Sequence, residues 1–82
     1  MIEITVRFFA LTHDLTGTEE IILHLPTNLT QSLFLDQLLA KYPQLKKWKN
    51  HLRVAVNYEY ISPEYVFQNG DEVAIIPPVS GG

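Results

Sequence analysis

The chain of 82 residues contains no cysteine, and that absence excludes several kinds of chemistry. Without thiols the protein can form no disulfide bond, bind no metal through thiolate ligands and carry out no thiol redox step. Apolar runs of roughly 18 residues, the length that crosses a membrane, are also missing. The N-terminal stretch MIEITVRFF alternates instead of placing a long apolar run after basic residues, so we expect no leader and a cytoplasmic protein.

Basic residues are scarce as well. Six Lys and Arg stand against nine Asp and Glu, which gives a net charge of −3. Nucleic acids and anionic membranes select for basic surfaces, so we expect neither as a partner. Four lysines cluster at positions 41, 46, 47 and 49. We interpret this cluster as a solvent-exposed helix end.

The residue types that carry catalysis are present without the necessary spacing. His13, His24 and His51 match no metal-ligand spacing. The adjacent acidic pairs Glu19-Glu20 and Asp71-Glu72 would point to opposite faces of a strand, which prevents acid/base cooperation. We therefore expect no self-contained active site, no metal site and no bound cofactor.

Apolar periodicity predicts one small sheet and one main helix. Leu35, Leu38 and Leu39 at helical spacing predict a helix that Thr30 caps and Pro43 ends. Residues 10–17 are interpreted as turns, LKKWKN as a short helical turn with Trp48 covering the core, and residues 58–68 as irregular chain. Period-two alternation predicts four strands, at about 2–9, 19–25, 53–57 and 72–76.

This order of elements predicts an α+β fold, with a mixed sheet of four to five strands and one main helix packed on one face. The helix crossover allows the first and last strands to lie parallel at the centre of the sheet. Residues 1–78 would form the domain and residues 79–82 an extended, flexible tail. The predicted inner face consists of Ile4, Val6, Phe8, Ile21, Leu23, Val54, Val56, Val73 and Ile75.

The opposite face of the sheet is predicted to carry an exposed apolar patch. If Phe8 and Ile75 are buried, alternation turns Phe9 and Ile76 outward, and no second helix is available to cover them. Ile22 or Tyr60 could extend the patch. Exposed patches on central strands mark partner surfaces, although single exposed apolar residues are common.

The C-terminal residues IIPPVSGG suggest a second feature. Pro77-Pro78 fixes the backbone twice and predicts a stiff, extended exit from the last strand. The following residues, Val79 to Gly82, are slim enough to enter a narrow channel. A frayed terminus is one explanation. The other is a reactive end, because the Gly82 carboxylate can be activated by ATP as an acyl-adenylate and converted by a sulfur nucleophile into a thiocarboxylate.

Several stretches together resemble one known family. VRFFA at residues 6–10, AVN at 55–57 and NGDEVAIIPPVSGG at 69–82 are similar to the ubiquitin-like β-grasp sulfur carriers, and most of all to small subunits of molybdopterin synthase. The resemblance covers essentially the whole chain, and its C-terminal stretch is the most specific part.

The resemblance implies a role for the tail and for the outer face. An E1-like enzyme would use ATP to adenylate Gly82, which would then carry a thiocarboxylate. Val79, Ser80 and Gly81 would thread a channel of the large subunit, in a heterotetramer, where the sulfur passes to a precursor pterin. The surface presented to both partners would consist of Phe9, Tyr60 and Ile76.

Three other functions are compatible with the same features. The chain could carry sulfur for thiamine or for tRNA thiolation, although thiamine carriers are usually shorter and lack the Pro-Pro-Val run. It could be a protein-conjugating modifier of the ubiquitin type, which would produce adducts on target lysines. It could also be a non-covalent interaction module, which would not depend on Gly82.

Overall fold

The computed structural model describes residues 1–78, which form eight elements. Five are strands, two are helices and one is a 3-10 helix. In chain order they are β1 (Ile2–Phe8), α1 (Leu11–Thr16), β2 (Glu20–Leu25), α2 (Gln31–Lys41), the 3-10 helix (Pro43–His51), β3 (Arg53–Val56), β4 (Glu59–Tyr60) and β5 (Glu72–Ile76).

All five strands belong to one sheet, in the order β2-β1-β5-β3-β4. β1 and β5 run parallel, with Val6 beside Val73 and Phe8 beside Ile75. The other neighbours are antiparallel. The predicted mixed sheet with parallel first and last strands is therefore confirmed, and so is the α+β class.

The core lies between α2 and one face of the sheet. Alternate residues of β1 and β5 are buried there, and α2 contributes four side chains. Every residue predicted for the inner face is on it, but Ile21 and Leu23 are only half-buried because β2 is an edge strand. The helix side chains are Phe34, Leu35, Leu38 and Leu39.

Local predictions differ from the structure in several places. Glu59–Tyr60, inside the stretch interpreted as irregular chain, forms β4, because it pairs with β3 across a tight turn. Residues 11–16, interpreted as part of a turn, form α1, which ends at Gly17 with a left-handed φ of +72°. A helix of six residues is too short to show helical periodicity, so its polar residues look like a turn. Thr30 does stand at the N-cap of α2 with extended backbone, but its hydroxyl makes no capping hydrogen bond.

The chain after α2 closes the side of the core. The 3-10 helix is longer than the short turn predicted there, and it buries Leu45 completely. Trp48 is half-buried and packs against the core, which confirms its predicted role as a cover.

The connection before β5 is irregular yet firmly attached. Phe67 is buried edge-to-face against Phe34, with ring centroids 4.8 Å apart. Gly70 has the predicted positive φ, +88°, and its N–H donates to the Glu3 carbonyl at 2.8 Å. The Asn69 side-chain oxygen accepts the Glu3 N–H, also at 2.8 Å. The turn before β5 is therefore held against β1.

Asp71 organises the polar side of this connection. Its side chain is 5% exposed and accepts hydrogen bonds from the Tyr65 hydroxyl at 2.7 Å, the Gln68 N–H at 2.8 Å and the Asn57 amide at 3.2 Å. Burial, together with the bond to Asp71, raises the pKa of Tyr65 to about 12. One buried carboxylate thus joins the β3–β4 turn to the start of β5.

We predict that Asp71→Ala lowers the free energy of unfolding by about 2–4 kcal/mol, because three donors lose their shared acceptor in a buried site. Urea denaturation measures the change. Asp36→Ala is the matched control: Asp36 contacts Lys49 at 3.1 Å with both side chains about half-exposed, so it should change stability by less than about 0.5 kcal/mol. Equal losses in the two variants would contradict the assignment.

We also predict a loss of stability as pH rises from about 10 to about 12. The unfolded chain releases the tyrosine proton near the ordinary pKa of about 10, whereas the native state retains it on Tyr65 until about 12. The unfolded state then binds fewer protons, so the free energy of unfolding falls through this window. Urea midpoints measured across the window should fall less steeply for Tyr65→Phe, and an equally steep fall would contradict the prediction.

Candidate functional site

The outer face of the sheet is the face turned away from α2, and β5 ends on it at Ile76. Ile76, the last residue of β5, is paired with Arg53 of β3. Pro77 is half-buried and Pro78 is exposed. The predicted tail residues Val79, Ser80, Gly81 and Gly82 lie outside the described residues, so their assigned roles stay predictions.

The three predicted interface residues share the outer face of the sheet near this exit. Since Phe8 lies beside Ile75 in the parallel pair, Phe9 follows next to Ile76. Tyr60 is 63% exposed and Phe9 48%, while Ile76 is half-buried. The Arg53 guanidinium lies over the Tyr60 ring, 5.6 Å from its centroid, in cation–π geometry. We call Phe9, Tyr60 and Ile76 the apolar patch.

Ile22, a candidate extension of the apolar patch, does not join it. The residue is exposed, but it pairs with Thr5 of β1. Thr5 is four positions before Phe9, a separation of roughly 13 Å along an extended chain. The side chain of Arg7 stands on the same face between them.

Phe9 is held in place by a residue that sequence analysis missed. Thr12 is fully buried, and its hydroxyl oxygen accepts the Phe9 N–H at 2.9 Å. The same hydroxyl lies 2.7 Å from the Phe9 carbonyl and 3.2 Å from the Ile75 carbonyl, either of which can accept its proton. Ala10, with φ +50°, turns the chain sharply after Phe9. These contacts fix the backbone from which the Phe9 ring projects.

A charged cluster borders the apolar patch across β2, β1 and β5. The Arg7 Nη2 donates to Glu72 at 3.1 Å, and its Nε lies 3.2 Å from a Glu20 oxygen. This second contact is an ion pair without hydrogen-bond alignment, so within residues 1–78 the Nε has no aligned acceptor. The side chains are 42–51% exposed, so the cluster adds little to stability. The cluster instead determines the net charge of the surface next to the apolar patch.

Two of the histidines in the described residues each contact a single acidic side chain. Within residues 1–78 no three histidine or acidic side chains cluster in a way that could hold a metal ion. His24 contacts Glu3 at 3.1 Å, and His13 lies 3.6 Å from Asp14. None of the helices in that range is long and apolar enough to cross a membrane.

Comparison with known sequences identifies the family. The sequence pattern of the ThiS family matches residues 6–82. A molybdopterin synthase sulfur carrier subunit from Arabidopsis thaliana is 40% identical over 81 residues, which cover 99% of this chain and 84% of the relative. One from Drosophila melanogaster is 38% identical, with 100% and 93% covered.

Solved structures share the fold. A putative molybdopterin converting factor subunit 1 from Pyrococcus furiosus has a TM-score of 0.86 at 23% identity, covering 96% of this chain and 100% of that one. Small archaeal modifier protein 1 from Methanosarcina acetivorans has a TM-score of 0.78 at 29% identity, covering 100% and 98%. Subunit 1 of the molybdopterin-converting factor from Helicobacter pylori, solved in complex with subunit 2, has a TM-score of 0.70 at 24% identity, covering 99% and 100%.

These neighbours confirm the predicted ubiquitin-like β-grasp fold, and the relatives confirm the resemblance stated from the sequence. The chain belongs to the ThiS family, and relatives that match it over nearly its whole length are sulfur carrier subunits of molybdopterin synthase.

Proposed function

We propose that this chain is the sulfur carrier subunit of a molybdopterin synthase. The observation that carries the proposal is the position of the apolar patch at the exit of β5, beside the start of the residues that lead to Gly82. A partner that covers the patch is thereby placed where it can receive the C-terminal residues. Full-length identity to named sulfur carrier subunits supports the same function.

The proposed chemistry takes place at the Gly82 carboxylate. One carboxylate oxygen attacks the α-phosphorus of ATP and pyrophosphate leaves, which gives an acyl-adenylate. A sulfide-level nucleophile then attacks the acyl carbon and AMP leaves, so the chain ends in a thiocarboxylate. The activating enzyme binds the ATP, and the carrier itself holds no cofactor. We place this cycle in the cytoplasm, where ATP is available.

Two partners follow from this chemistry. The first is an E1-like adenylating enzyme. The second is the large subunit, in a heterotetramer, where Val79, Ser80 and Gly81 would occupy a channel and Gly82 would deliver sulfur to a precursor pterin. The apolar patch would contact each partner in turn. The Helicobacter pylori neighbour, whose subunit 1 was solved together with subunit 2, supports a carrier–large subunit complex as the working form.

A protein modifier is the second candidate function. It is favoured by the likeness to small archaeal modifier protein 1 at 29% identity. In that case Gly82 would form isopeptide bonds with lysines of target proteins. Both functions begin with adenylation of Gly82 and differ in the final acceptor. Identifying the group that reacts with the activated C-terminus therefore distinguishes them.

We predict that removing Gly81 and Gly82 leaves the fold unchanged and abolishes sulfur transfer, because within residues 1–78 the buried core runs from Ile2 to Ile75. Thermal unfolding should show the same midpoint as the full chain. Intact-mass spectrometry after incubation with the activating enzyme, ATP and a sulfur donor should show a gain of about 16 Da on the full chain, from oxygen replaced by sulfur, and none on the truncated one.

Three outcomes would contradict this assignment. Loss of the fold on truncation would show that the C-terminal residues are structural. High-mass adducts on target lysines without a thiocarboxylate would favour the modifier. A thiocarboxylate that is consumed only with thiamine or tRNA acceptors would assign the chain to a different sulfur pathway.

We predict that Phe9→Glu weakens binding to the large subunit at least tenfold and shifts the thermal midpoint little. The ring is 48% exposed, so the substitution removes contact area and adds charge to a surface that a partner must desolvate. Isothermal titration calorimetry measures the affinity.

Leu33→Glu provides the control for Phe9→Glu. Leu33 is an exposed apolar residue on α2, away from the outer face of the sheet, so its substitution should leave the affinity unchanged. A large drop in melting temperature for Phe9→Glu would instead show that Phe9 belongs to the core.

A further inference from the structure

The hairpin that joins β3 to β4 has an unusual tip. Val56 pairs with Glu59, which leaves a two-residue loop of Asn57 and Tyr58. Both have left-handed backbone, with φ of +50° and +72°. This is the pattern of the tight turns whose second position is usually glycine. Asn tolerates the left-handed region, whereas a bulky aromatic residue there is strained.

The turn is fixed in this strained form by its neighbours. The Asn57 N–H donates to the Glu72 carbonyl at 2.8 Å, and the Asn57 side-chain oxygen accepts the Glu72 N–H at 3.0 Å. The Asn57 amide also reaches the buried carboxylate of Asp71. The backbone of Tyr58 is therefore held against β5.

The fold gains little from the tyrosine itself. Tyr58 is 85% exposed, the highest value among the large apolar and aromatic residues of the described chain. An exposed ring on a strained backbone costs stability without adding to the core. Residues retained in such conformations often serve function, because the surrounding structure has to stabilise them.

Tyr58 shares a slot with Phe9. The slot is lined by Tyr58, Phe9, Arg7, Glu72, Val73 and Ala74. The slot has a volume of about 60 Å³. Sites for small molecules usually measure about 300–1,000 Å³, so this slot fits a single side chain better than a free ligand.

We propose that this slot receives one apolar side chain of the large subunit, and that Tyr58 determines how selectively this chain binds it. The inference rests on the proposed function. It adds to the apolar patch a contact point on the hairpin, farther from the exit of the C-terminal residues.

Two observations favour the large subunit as the occupant. Four residues after Pro78 span at most about 14 Å, so a protein that receives Gly82 must sit close to the end of β5. Phe9 belongs both to the apolar patch and to the slot, so a partner that covers the patch continues directly over the slot. Two lining residues of the slot are charged, Arg7 and Glu72, and Arg7 also pairs with Glu20, so this group carries an excess of one negative charge. We therefore expect a neutral or basic residue of the partner beside the inserted side chain.

The test relies on one variant that should gain thermal stability and lose affinity for the large subunit. Tyr58→Gly relieves the left-handed strain, so its thermal midpoint should rise by about 1–5 °C. The same variant lacks the aromatic wall, so its dissociation constant for the purified large subunit should increase at least tenfold. Tyr58→Phe keeps the ring and should bind within twofold of the unmodified chain.

Two further variants separate the ring from the backbone. Tyr58→Asn keeps a residue that tolerates left-handed backbone but removes the ring, so it should bind as weakly as Tyr58→Gly. Asn28→Gly changes another exposed residue with positive φ, +63°, in the connection between β2 and α2, and it should leave binding unchanged.

Each contrary result has a distinct meaning. If Tyr58→Gly and Tyr58→Asn bind like the unmodified chain while Phe9→Glu binds weakly, the slot proposal is wrong and the proposed function stands. A lower thermal midpoint for Tyr58→Gly would show that the ring supports the fold, and would also overturn the slot proposal. If the unmodified chain fails to bind the large subunit, the proposed function fails, and the slot proposal fails with it.

Discussion

The parallel pairing of β1 with β5 is the contact on which the rest of the structure depends. It places the first and last strands side by side at the centre of the sheet, with Val6 beside Val73 and Phe8 beside Ile75. Parallel neighbours cannot be joined by a tight turn, so the helix-containing crossover between them has to exist, and that crossover supplies the core. The same register sets Phe9 next to Ile76 on the other face. The apolar patch is therefore a direct consequence of the strand pairing that builds the core.

The two faces of the sheet are under different constraints. The inner face gains from burial against α2, so its residues are aliphatic or aromatic and nearly inaccessible. The outer face contributes little to stability, and the domain is too small to cover it with a second layer. Its composition is consequently free to serve a partner. The strained turn at Tyr58 and the half-exposed ion pairs of Arg7 fit that view, because neither strengthens the fold appreciably.

Regular elements could be predicted from the sequence, and features that depend on tertiary contacts could not. Periodicity and backbone sterics predicted the bounds of β5 and, to within one residue, those of β1. They also predicted the end of α2 before Pro43 and the positive φ of Gly70. Alternation also predicted that Phe9 is exposed, whereas Tyr60 was assigned to the patch through the family resemblance. The buried Thr12 and the burial of Phe67 had no local signal, because each depends on groups more than 30 residues away, as in the Thr12 contact with Ile75. The left-handed backbone of Tyr58 could not be predicted for a related reason. Glycine usually occupies this position of the turn, and here the contacts of Asn57 with β5 stabilise the turn instead.

The proposed cycle places opposing demands on this surface. One C-terminus must be activated on one protein and discharged on another, so contact through the apolar patch has to be strong enough to hold each partner and weak enough to release it. Once the patch is bound, entry of the C-terminal residues becomes an intramolecular step, and a short connection makes their effective concentration high. The rigid mounting of Phe9 by Thr12 reduces the entropy lost on docking. Because carriers of several pathways share the β-grasp fold, the fold cannot distinguish their partners, and exposed side chains must do so. Tyr58 is well placed for that task, since it meets the partner on the hairpin and leaves the exit of β5 unobstructed.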